Sequence, residues 1–311
     1  MAVAAPLEFD LMRQTALALL LLPLLTVADL RVVIVEGLGG EERYATQFEE
    51  QVDIVAAASR ALAGEDNVAV FRSGDFSRDA LLEHFAALEA GMQSDDRLLL
   101  YLIGHGSYDD HQYKFNIAGP DLTDSDLHDW LEDLPGSSQL VVNTSSSSGA
   151  TLERLKRDDR TIIAATRGGA ERHATRFGHY FALALSDGSA DLDKNEVISA
   201  EEAFRYAERQ VADYYERNGQ LATEHPRLEG DLAARFSLAR LGSVRPTRTD
   251  EELERLVGRR DALNDSIDGL RIRSDQMTAD AYQTELLQLM LELAVVEEDI
   301  ESREQELGDE N

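Results

Sequence analysis

Two polar segments stand at the ends of apolar runs and could together carry chemistry. LLLYLIGHGS places His105 between two glycines, and LVVNTSSSSGA ends in four serines, 145–148, before Gly149. Histidine is the side chain best suited to proton transfer near neutral pH. A hydroxyl within reach of an imidazole is the start of a nucleophile and base pair, and glycine amides can stabilise an oxyanion. Taken alone, the serine run is typical of a turn between a strand and a helix.

A third segment has the spacing of a calcium-binding loop. The positions that carry oxygen ligands in an EF-hand are occupied, in DLDKNEVISAEE, by Asp191, Asp193, Asn195, the carbonyl of Val197, Ser199 and Glu202. Glu196 stands where that loop has glycine, so we expect weak affinity for Ca²⁺. The alternative is a solvated acidic loop in which Ser199 and Glu202 begin a helix as a capping box.

The elements that must position these residues alternate between strands and helices. LRVVIVEG, NVAVFRS, DRLLLYLIG, SQLVVN and RTIIAAT are short apolar runs typical of buried strands, and segments with helical spacing separate most of them. Such alternation predicts an α/β fold with a mostly parallel sheet covered by helices on both faces. Sheets of this kind bind ligands outside the carboxyl ends of their strands, where His105 and the serines stand.

Three segments carry a resemblance to a known family. LLLYLIGHGSYDD, LVVNTSSSSGA and RTIIAATRGGAERHATRFGHYFALAL resemble, in order and spacing, the clan of cysteine peptidases that contains legumain (family C13) and the caspases. The resemblance is closest to bacterial C13-like proteins and covers about Leu30 to Leu241. It implies a three-layer α/β/α caspase-like fold for residues 29–243.

The resemblance also implies roles for individual residues. His105 would be the catalytic histidine, Gly106 would supply an oxyanion amide, and Ser146, three residues before Gly149, would replace the nucleophilic cysteine. The segment after the next strand would border the primary specificity pocket, with Ala164, Ala165, Thr166 and Arg167. Arg167, Arg172 and Arg176 could meet a carboxylate ligand or neutralise neighbouring acids.

The absence of cysteine bears directly on activity. A neighbouring imidazole readily forms a thiolate, because the pKa of cysteine is about 8.5, whereas serine needs a well-oriented base during attack. With no cysteine in the chain, we expect a catalytically impaired domain that binds a peptide or a protein. Two alternatives remain: a hydrolase that cleaves peptide bonds with Ser146 and His105, and a structural scaffold that assembles through the C-terminal helices.

The overall charge excludes one class of partner. Sixty acidic and thirty basic residues give a net charge of −30, which repels nucleic-acid phosphates and anionic membranes. We therefore expect no nucleic-acid partner.

The N-terminal segment is typical of a secretion signal. Arg13 precedes an apolar run from Ala16 to Val27 that small residues follow. This run is too short for a confident membrane span. We expect residues 1–28 to be a signal peptide with its true start at Met12, and an exported protein, periplasmic or extracellular, without a stable membrane span.

The C-terminal segment predicts helices after a polar linker at residues 244–250. Residues 251–307 have apolar residues at helical spacing, and the phase breaks near Thr278, which offers an N-cap. This pattern predicts an antiparallel helical hairpin (coiled coil), with a continuous coiled-coil dimer as the alternative. We expect the apolar stripe to serve a protein partner or self-association. Its members are Leu253, Leu256, Leu263, Ile267, Leu270, Tyr282, Leu286, Leu289, Leu293, Val296 and Ile300.

Overall fold

The computed structural model describes residues 28–136, 138–241 and 251–309. The predicted linker at 244–250 and all but the last residue of the predicted signal segment lie outside these ranges. Within them, no helix combines the length and the apolar composition needed to cross a membrane.

Strands and helices are interspersed along the chain as far as residue 240. The strands are β1 Leu30–Glu36, β2 Val68–Phe71, β3 Arg97–Ile103, β4 Gly106–Tyr108, β5 Tyr113–Phe115, β6 Leu122–Thr123, β7 Ser138–Asn143, β8 Arg160–Ala164, β9 Val197–Ser199, β10 Arg227–Glu229 and β11 Ser237–Arg240. The helices are α1 Glu42–Ala63, α2 Arg78–Gly91, α3 Asp124–Glu132, α4 Leu152–Leu155, α5 Phe177–Ala184, α6 Ala200–Arg217, α7 Glu251–Ile272 and α8 Ala279–Asp309.

The central sheet is mostly parallel, as predicted. Its strand order is β10-β8-β7-β3-β1-β2, and only β10 runs antiparallel to its neighbour. The chain passes from β1 to one edge of the sheet and then returns to β3 on the other side of β1. The topological switch point therefore lies between β1 and β3, and sheets of this type bind ligands outside the strand ends at such a point.

Helices cover both faces of this sheet. Side chains of successive strand residues point to opposite faces, so Val32 and Ile34 pack with α1, α5 and α6, whereas Val33 and Val35 pack with α2, α3 and α4. The three-layer α/β/α arrangement is thus confirmed. Two small sheets, β4-β5-β6 and β9-β11, lie outside the central sheet, and the sequence pattern did not predict them.

Side-chain caps fix where several helices begin. Ser77, the N-cap of α2, accepts a hydrogen bond from the backbone N–H of Ala80. Thr123 forms a capping box with Asp126 at the start of α3. Such caps satisfy backbone N–H groups that have no partner within the helix.

Strand register places the predicted catalytic residues just beyond the same edge of the sheet. Leu102 of β3 pairs with Asn143 of β7, and His105 and Ser146 each lie three residues further along. Asn143 also pairs with Ala164 of β8, so the segment that begins at Ala165 reaches the same edge of the sheet.

The C-terminal helices α7 and α8 form an antiparallel hairpin. Leu253 and Leu256, near the start of α7, share an apolar cluster with Val296 and Ile300, near the end of α8. Leu289 and Leu293 pack against the same cluster. Much of the predicted apolar stripe is therefore used inside the hairpin.

The end of α7 is attached to the α/β domain. Ser237 of β11 donates a hydrogen bond of 2.8 Å to the buried carboxylate of Asp268, and Arg240 forms an ion pair with the same group. Ile272, at the end of α7, belongs to the core that lies under α1 and α5. This hairpin is therefore tied to the domain by both polar and apolar contacts.

Asp265 makes this attachment sensitive to pH. Burial raises the pKa of Asp265 to about 6, because desolvation outweighs the opposing charges of Arg240 and Arg97, and Asp268 and Asp261 add to the increase. The folded protein therefore binds the Asp265 carboxyl proton more tightly than the unfolded chain does. As the pH rises from about 4 through 6, loss of this proton lowers the free energy of unfolding.

We predict that Asp265→Asn raises the free energy of unfolding at pH 7 by about 1 to 3 kcal/mol and has little effect at pH 3.5. Urea denaturation of both proteins from pH 3.5 to 8 measures the difference. A constant difference across this range would contradict the assigned cause.

Candidate functional site

The ends of β3 and β7 meet in direct contact at the sheet edge. A Cβ atom on Gly106 would lie 2.5 Å from the carbonyl oxygen of Ser146 and 2.6 Å from Oγ of Ser145. Only glycine fits at a distance this short. The histidine segment and the serine run are therefore brought together, as the sequence predicted for neighbouring parallel strands.

The side chain of Ser145 is committed to a buried hydrogen-bond network. Its Oγ lies 2.6 Å from the hydroxyl of Tyr113 and 2.8 Å from Oδ1 of Asn143. The Tyr113 hydroxyl in turn accepts a bond of 3.0 Å from Nδ2 of Asn143. Ser145 thus holds the end of β7 against β5.

The other serines are also buried. Ser146 is 3% exposed, and Ser147 and Ser148 are fully enclosed. Oγ of Ser148 lies 3.3 Å from Oγ1 of Thr166, which also accepts a bond of 2.9 Å from the amide of Gly149. The serine run is therefore a closed turn that is fastened to the end of β8.

Ser147 has a strained and unsatisfied environment. Its φ of 57° lies in the left-handed region, which costs about 1 kcal/mol for a residue with a Cβ. Its buried Oγ has no hydrogen-bond partner, although its backbone N–H donates to the carbonyl of Glu171 at 2.8 Å.

His105 is half-buried beside two aromatic rings of α1. The imidazole meets Tyr44 edge-on at 4.8 Å and Phe48 at 5.0 Å between ring centroids. Burial lowers the pKa of His105, and the backbone of Gly39 and the charge of Glu41 oppose this shift only in part. The side chain is therefore a neutral imidazole at neutral pH, which is the state required of a base.

The imidazole is not joined to a hydroxyl. Among the described residues, no hydrogen bond links the His105 side chain to any of the four serines. The histidine segment and the serine run are thus in contact, but the described structure shows no hydrogen bond between their side chains.

Of the residues predicted to border a specificity pocket, Arg167 alone is exposed. Ala165 and Thr166 are fully buried, whereas the Arg167 side chain is 60% exposed. Thr166 joins the turns after β7 and β8, as described above. Only Arg167 is therefore available to touch a ligand without rearrangement.

The predicted arginine cluster is neutralised by local partners. Arg167 forms an ion pair of 3.0 Å with Glu171, and Arg172 lies 3.4 Å from Asp110. The Arg176 guanidinium stacks 3.6 Å from the ring centroid of Tyr214. For Arg167 and Arg172, this arrangement fits the alternative in which the arginines offset neighbouring acids.

Glu171 and Glu224 have structural roles beside this edge. Glu171 accepts the backbone N–H of His225 and contacts Nδ1 of the same residue at 2.5 Å. Glu224 accepts the backbone N–H groups of Arg176 and Phe177 at the start of α5, and burial raises its pKa. Glu224 and His225 thus hold the loop between α6 and β10 against the start of α5 and against Glu171.

Three residues at the site were missed by sequence reasoning. Tyr113 lies about 30 residues from its partners Asn143 and Ser145, and no local spacing relates them. Tyr44 and Phe48 are one helical turn apart at the start of α1, which places them on one face of the helix. This four-residue spacing is the feature of the sequence from which the aromatic pair could have been predicted.

The acidic loop between α5 and α6 brings carboxylates together at a separate place. Ligand atoms of Asp191, Asp193 and Glu202 lie within 4.8 Å of one another. Glu196 adopts a φ of 63°, the conformation for which a calcium loop has glycine at this position. The donor set of hard oxygen atoms and its convergence fit a Ca²⁺ ion.

The competing helix-cap role is present in the same loop. Ser199 and Glu202 form a capping box at the start of α6. Asn195 Oδ1 accepts the backbone N–H of Val197 at 2.8 Å, and β9, which begins at Val197, pairs with β11. The capping box and the carboxylate cluster share Glu202, so calcium binding stays a prediction.

Comparison with known proteins identifies no family. No protein-family model matches the chain, and no curated protein matches it. Among solved structures, caspase-1 from Spodoptera frugiperda is similar, with a TM-score of 0.47 and 13% identity over 70% of this chain and 93% of that chain. Protein GSU0716 from Geobacter sulfurreducens is also similar, with a TM-score of 0.42 and 12% identity over 68% and 98%. Structural similarity at these scores does not support a conclusion about activity.

We predict that Ser147→Gly raises the free energy of unfolding by about 1 kcal/mol, because it removes left-handed strain and an unsatisfied hydroxyl. The matched control is Ser148→Gly, which removes a hydroxyl that contacts Thr166 and should destabilise the protein. Urea denaturation measures both. Equal effects of the two substitutions would contradict the assignment of strain to Ser147.

We predict weak Ca²⁺ binding by the acidic loop, with loss of binding in Asp191→Ala because one converging carboxylate is removed. Titration calorimetry with CaCl₂ measures the heat. Asp213→Ala, which removes a carboxylate from the surface of α6, is the control and should bind as the wild type does. Equal heats from both variants would contradict a site at this loop.

Proposed function

We propose that this chain is a peptidase-like protein, resembling the legumain and caspase clan, whose α/β domain binds a peptide or protein segment without cutting it. The observation that carries the proposal is the state of the serine run. It occupies the place where the resemblance puts a nucleophile, yet its four residues are buried and, in the described part of the chain, none of its hydroxyls is hydrogen-bonded to His105.

The chemistry of the missing thiol supports this proposal. A serine hydroxyl that is not hydrogen-bonded to a base is not activated for attack. Ser145 already donates its proton within the network of Tyr113 and Asn143. Cleavage by Ser146 would therefore require a hydrogen bond to His105 that is absent among the described residues.

The surroundings of His105 support peptide binding. The half-buried faces of His105 and Tyr44 lie at the switch point between β1 and β3, where doubly wound sheets bind ligands. Beside them, β4 is an edge strand of its small sheet, and within the described residues no strand pairs with its outer side. An extended peptide can add to such an edge through backbone hydrogen bonds, while nearby side chains select its residues.

We predict that the protein retains members of a random peptide library but cleaves none of them. His105→Ala should weaken retention of the selected peptides at least about tenfold, which is about 1.4 kcal/mol, because it removes a half-buried ring that directly precedes β4 in the chain. Fluorescence anisotropy measures binding, and mass spectrometry of the same mixtures detects cleavage.

Two further variants make this test decisive. His128→Ala, on α3 at the opposite face of the sheet, should bind as the wild type does. Ser146→Cys should remain inactive, because this position is buried. Turnover by the wild type that disappears in His105→Ala would instead support a hydrolase, and retention of no peptide at all would contradict the binding proposal.

A further inference from the structure

The guanidinium of Arg97 is enclosed by the protein but has no hydrogen-bond partner. Arg97 is the first residue of β3 and is 1% exposed. Its three side-chain nitrogen atoms, Nε, Nη1 and Nη2, meet no acceptor in the described part of the chain. The ring centroid of Phe236 lies 6.0 Å from the guanidinium carbon, but a ring face at this distance does not satisfy the N–H donors of an arginine.

A buried arginine cannot avoid this situation by losing its proton. The guanidinium stays protonated in proteins, whereas a buried lysine or histidine can become neutral. Buried charges are therefore found paired, and buried donors are found hydrogen-bonded. Arg160, which is equally buried, follows this rule, since it donates to the side chains of Gln139 and Glu132. Arg97 departs from the rule and needs a partner.

The buried carboxylate of Asp268, on α7, is already committed to other donors. Ser237 donates to it at 2.8 Å, Arg240 forms an ion pair with it, and Arg271 lies 3.7 Å away. A single negative charge thus faces two guanidinium groups. It does not provide Arg97 with a counter-charge.

Asp265 is a second acidic group of α7 at this place. It lies about one turn before Asp268, and the charges of Arg97 and Arg240 act on it. Among the described residues, no hydrogen bond reaches its carboxyl group. Burial raises its pKa to about 6 in spite of the two arginines. Asp265 is therefore a neutral carboxylic acid below this pH.

These groups form one cluster where α7 meets the α/β domain. We call it the junction cluster, and its members are Arg97, Ser237, Arg240, Asp265 and Asp268. Asp261 of α7 also acts on Asp265, but it forms an ion pair of 2.8 Å with Arg260. When Asp265 is protonated, the junction cluster contains two guanidinium groups and one carboxylate. It then has an excess of positive charge.

We propose that Arg97 binds one small monovalent anion, of the size of chloride, and that Asp265 keeps its proton while this anion is bound. The anion accepts the N–H groups of Arg97 and the O–H group of Asp265, and it cancels the excess charge of the junction cluster. A monatomic anion suits an enclosed guanidinium, whereas a phosphate needs more room. Asp265 is only partly buried, so it marks the side from which the anion enters.

This arrangement couples the anion to a proton. When Asp265 ionises, its carboxylate supplies the negative charge beside Arg97 and repels an anion there. Anion binding therefore requires the protonated form and weakens as the pH rises above about 6. Since Asp265 and Asp268 belong to α7, salt and pH together control how firmly the hairpin is held.

Urea denaturation of the full chain at pH 5 tests the site, with sodium chloride as the probe. Sodium gluconate, whose anion is too large for the site, is the reference at equal concentration. A Kd of about 10 mM would raise the urea midpoint of the wild type by about 1 M in about 0.5 M chloride. Arg97→Met should lose this shift, because methionine has a chain of similar length but no donors.

The matched control is Arg235→Met. Arg235 also connects the α/β domain to the hairpin, through Ser274 and Asp275, but it has these partners within the chain. Its replacement should leave the chloride shift unchanged.

The link to the proton is measured in the same way at a second pH. At pH 7.5 the affinity of the wild type for chloride should be at least about tenfold lower than at pH 5. Asp265→Asn should bind chloride equally at both pH values, because an amide donates an N–H group and does not ionise. An equal decrease in the two proteins would overturn the role of Asp265.

Crystals of the full chain grown at pH 5 with sodium bromide locate the anion directly, since bromide scatters anomalously. A bromide peak beside Arg97 supports the proposal. Bromide bound only elsewhere, a chloride shift that Arg97→Met retains, or loss of the shift in Arg235→Met would each overturn it.

Arg97→Met should fold, because an apolar chain replaces a buried charge that has no partner. Should it fail to fold, the bromide position and the pH dependence in Asp265→Asn still decide the outcome. The anion site does not rest on peptide binding by the α/β domain. The two are measured separately, so failure of either proposal leaves the other intact.

Discussion

The close approach of Gly106 to the serine run is the constraint on which the candidate site depends. Parallel pairing of β3 with β7 brings the turns that hold His105 and Ser146 to the same edge of the sheet, and the missing Cβ of Gly106 lets the two turns touch. Any larger residue there would separate them. The same contact packs Gly106 against the Ser145 hydroxyl and the Ser146 carbonyl, so the feature that assembles the site also helps to bury the serine run.

Burial has opposite consequences for the two partners at this edge. For His105, desolvation lowers the pKa and favours the neutral base. For Ser145, burial requires a hydrogen-bond partner, and Tyr113 with Asn143 supplies it. The imidazole is therefore in the neutral state that a base requires, while the Ser145 hydroxyl is already engaged. This difference agrees with the proposal that the domain binds a peptide without cutting it.

The C-terminal hairpin illustrates how one apolar pattern can serve two purposes. A stripe of apolar residues at helical spacing predicts that one face of the helix is buried. It does not identify the element that buries this face. Leu289 and Leu293 are used inside the hairpin, whereas Leu287 and Leu291, two residues before each of them, face outward. Sequence reasoning identified the first stripe and expected it to serve association. The tertiary structure assigns that stripe to the hairpin and leaves the opposite one exposed.

The sequence by itself determined the α/β class, the buried strands, the hairpin helices and the strand ends at which His105, Ser146 and Ala165 stand. These features follow from local periodicity and from the rule that parallel strands end at one edge. Only the tertiary structure decided that Tyr113 captures Ser145, that Tyr44 and Phe48 flank His105, and that Thr166 is buried. Such contacts join residues far apart in the chain, and their geometry depends on packing that residue types and spacing do not encode.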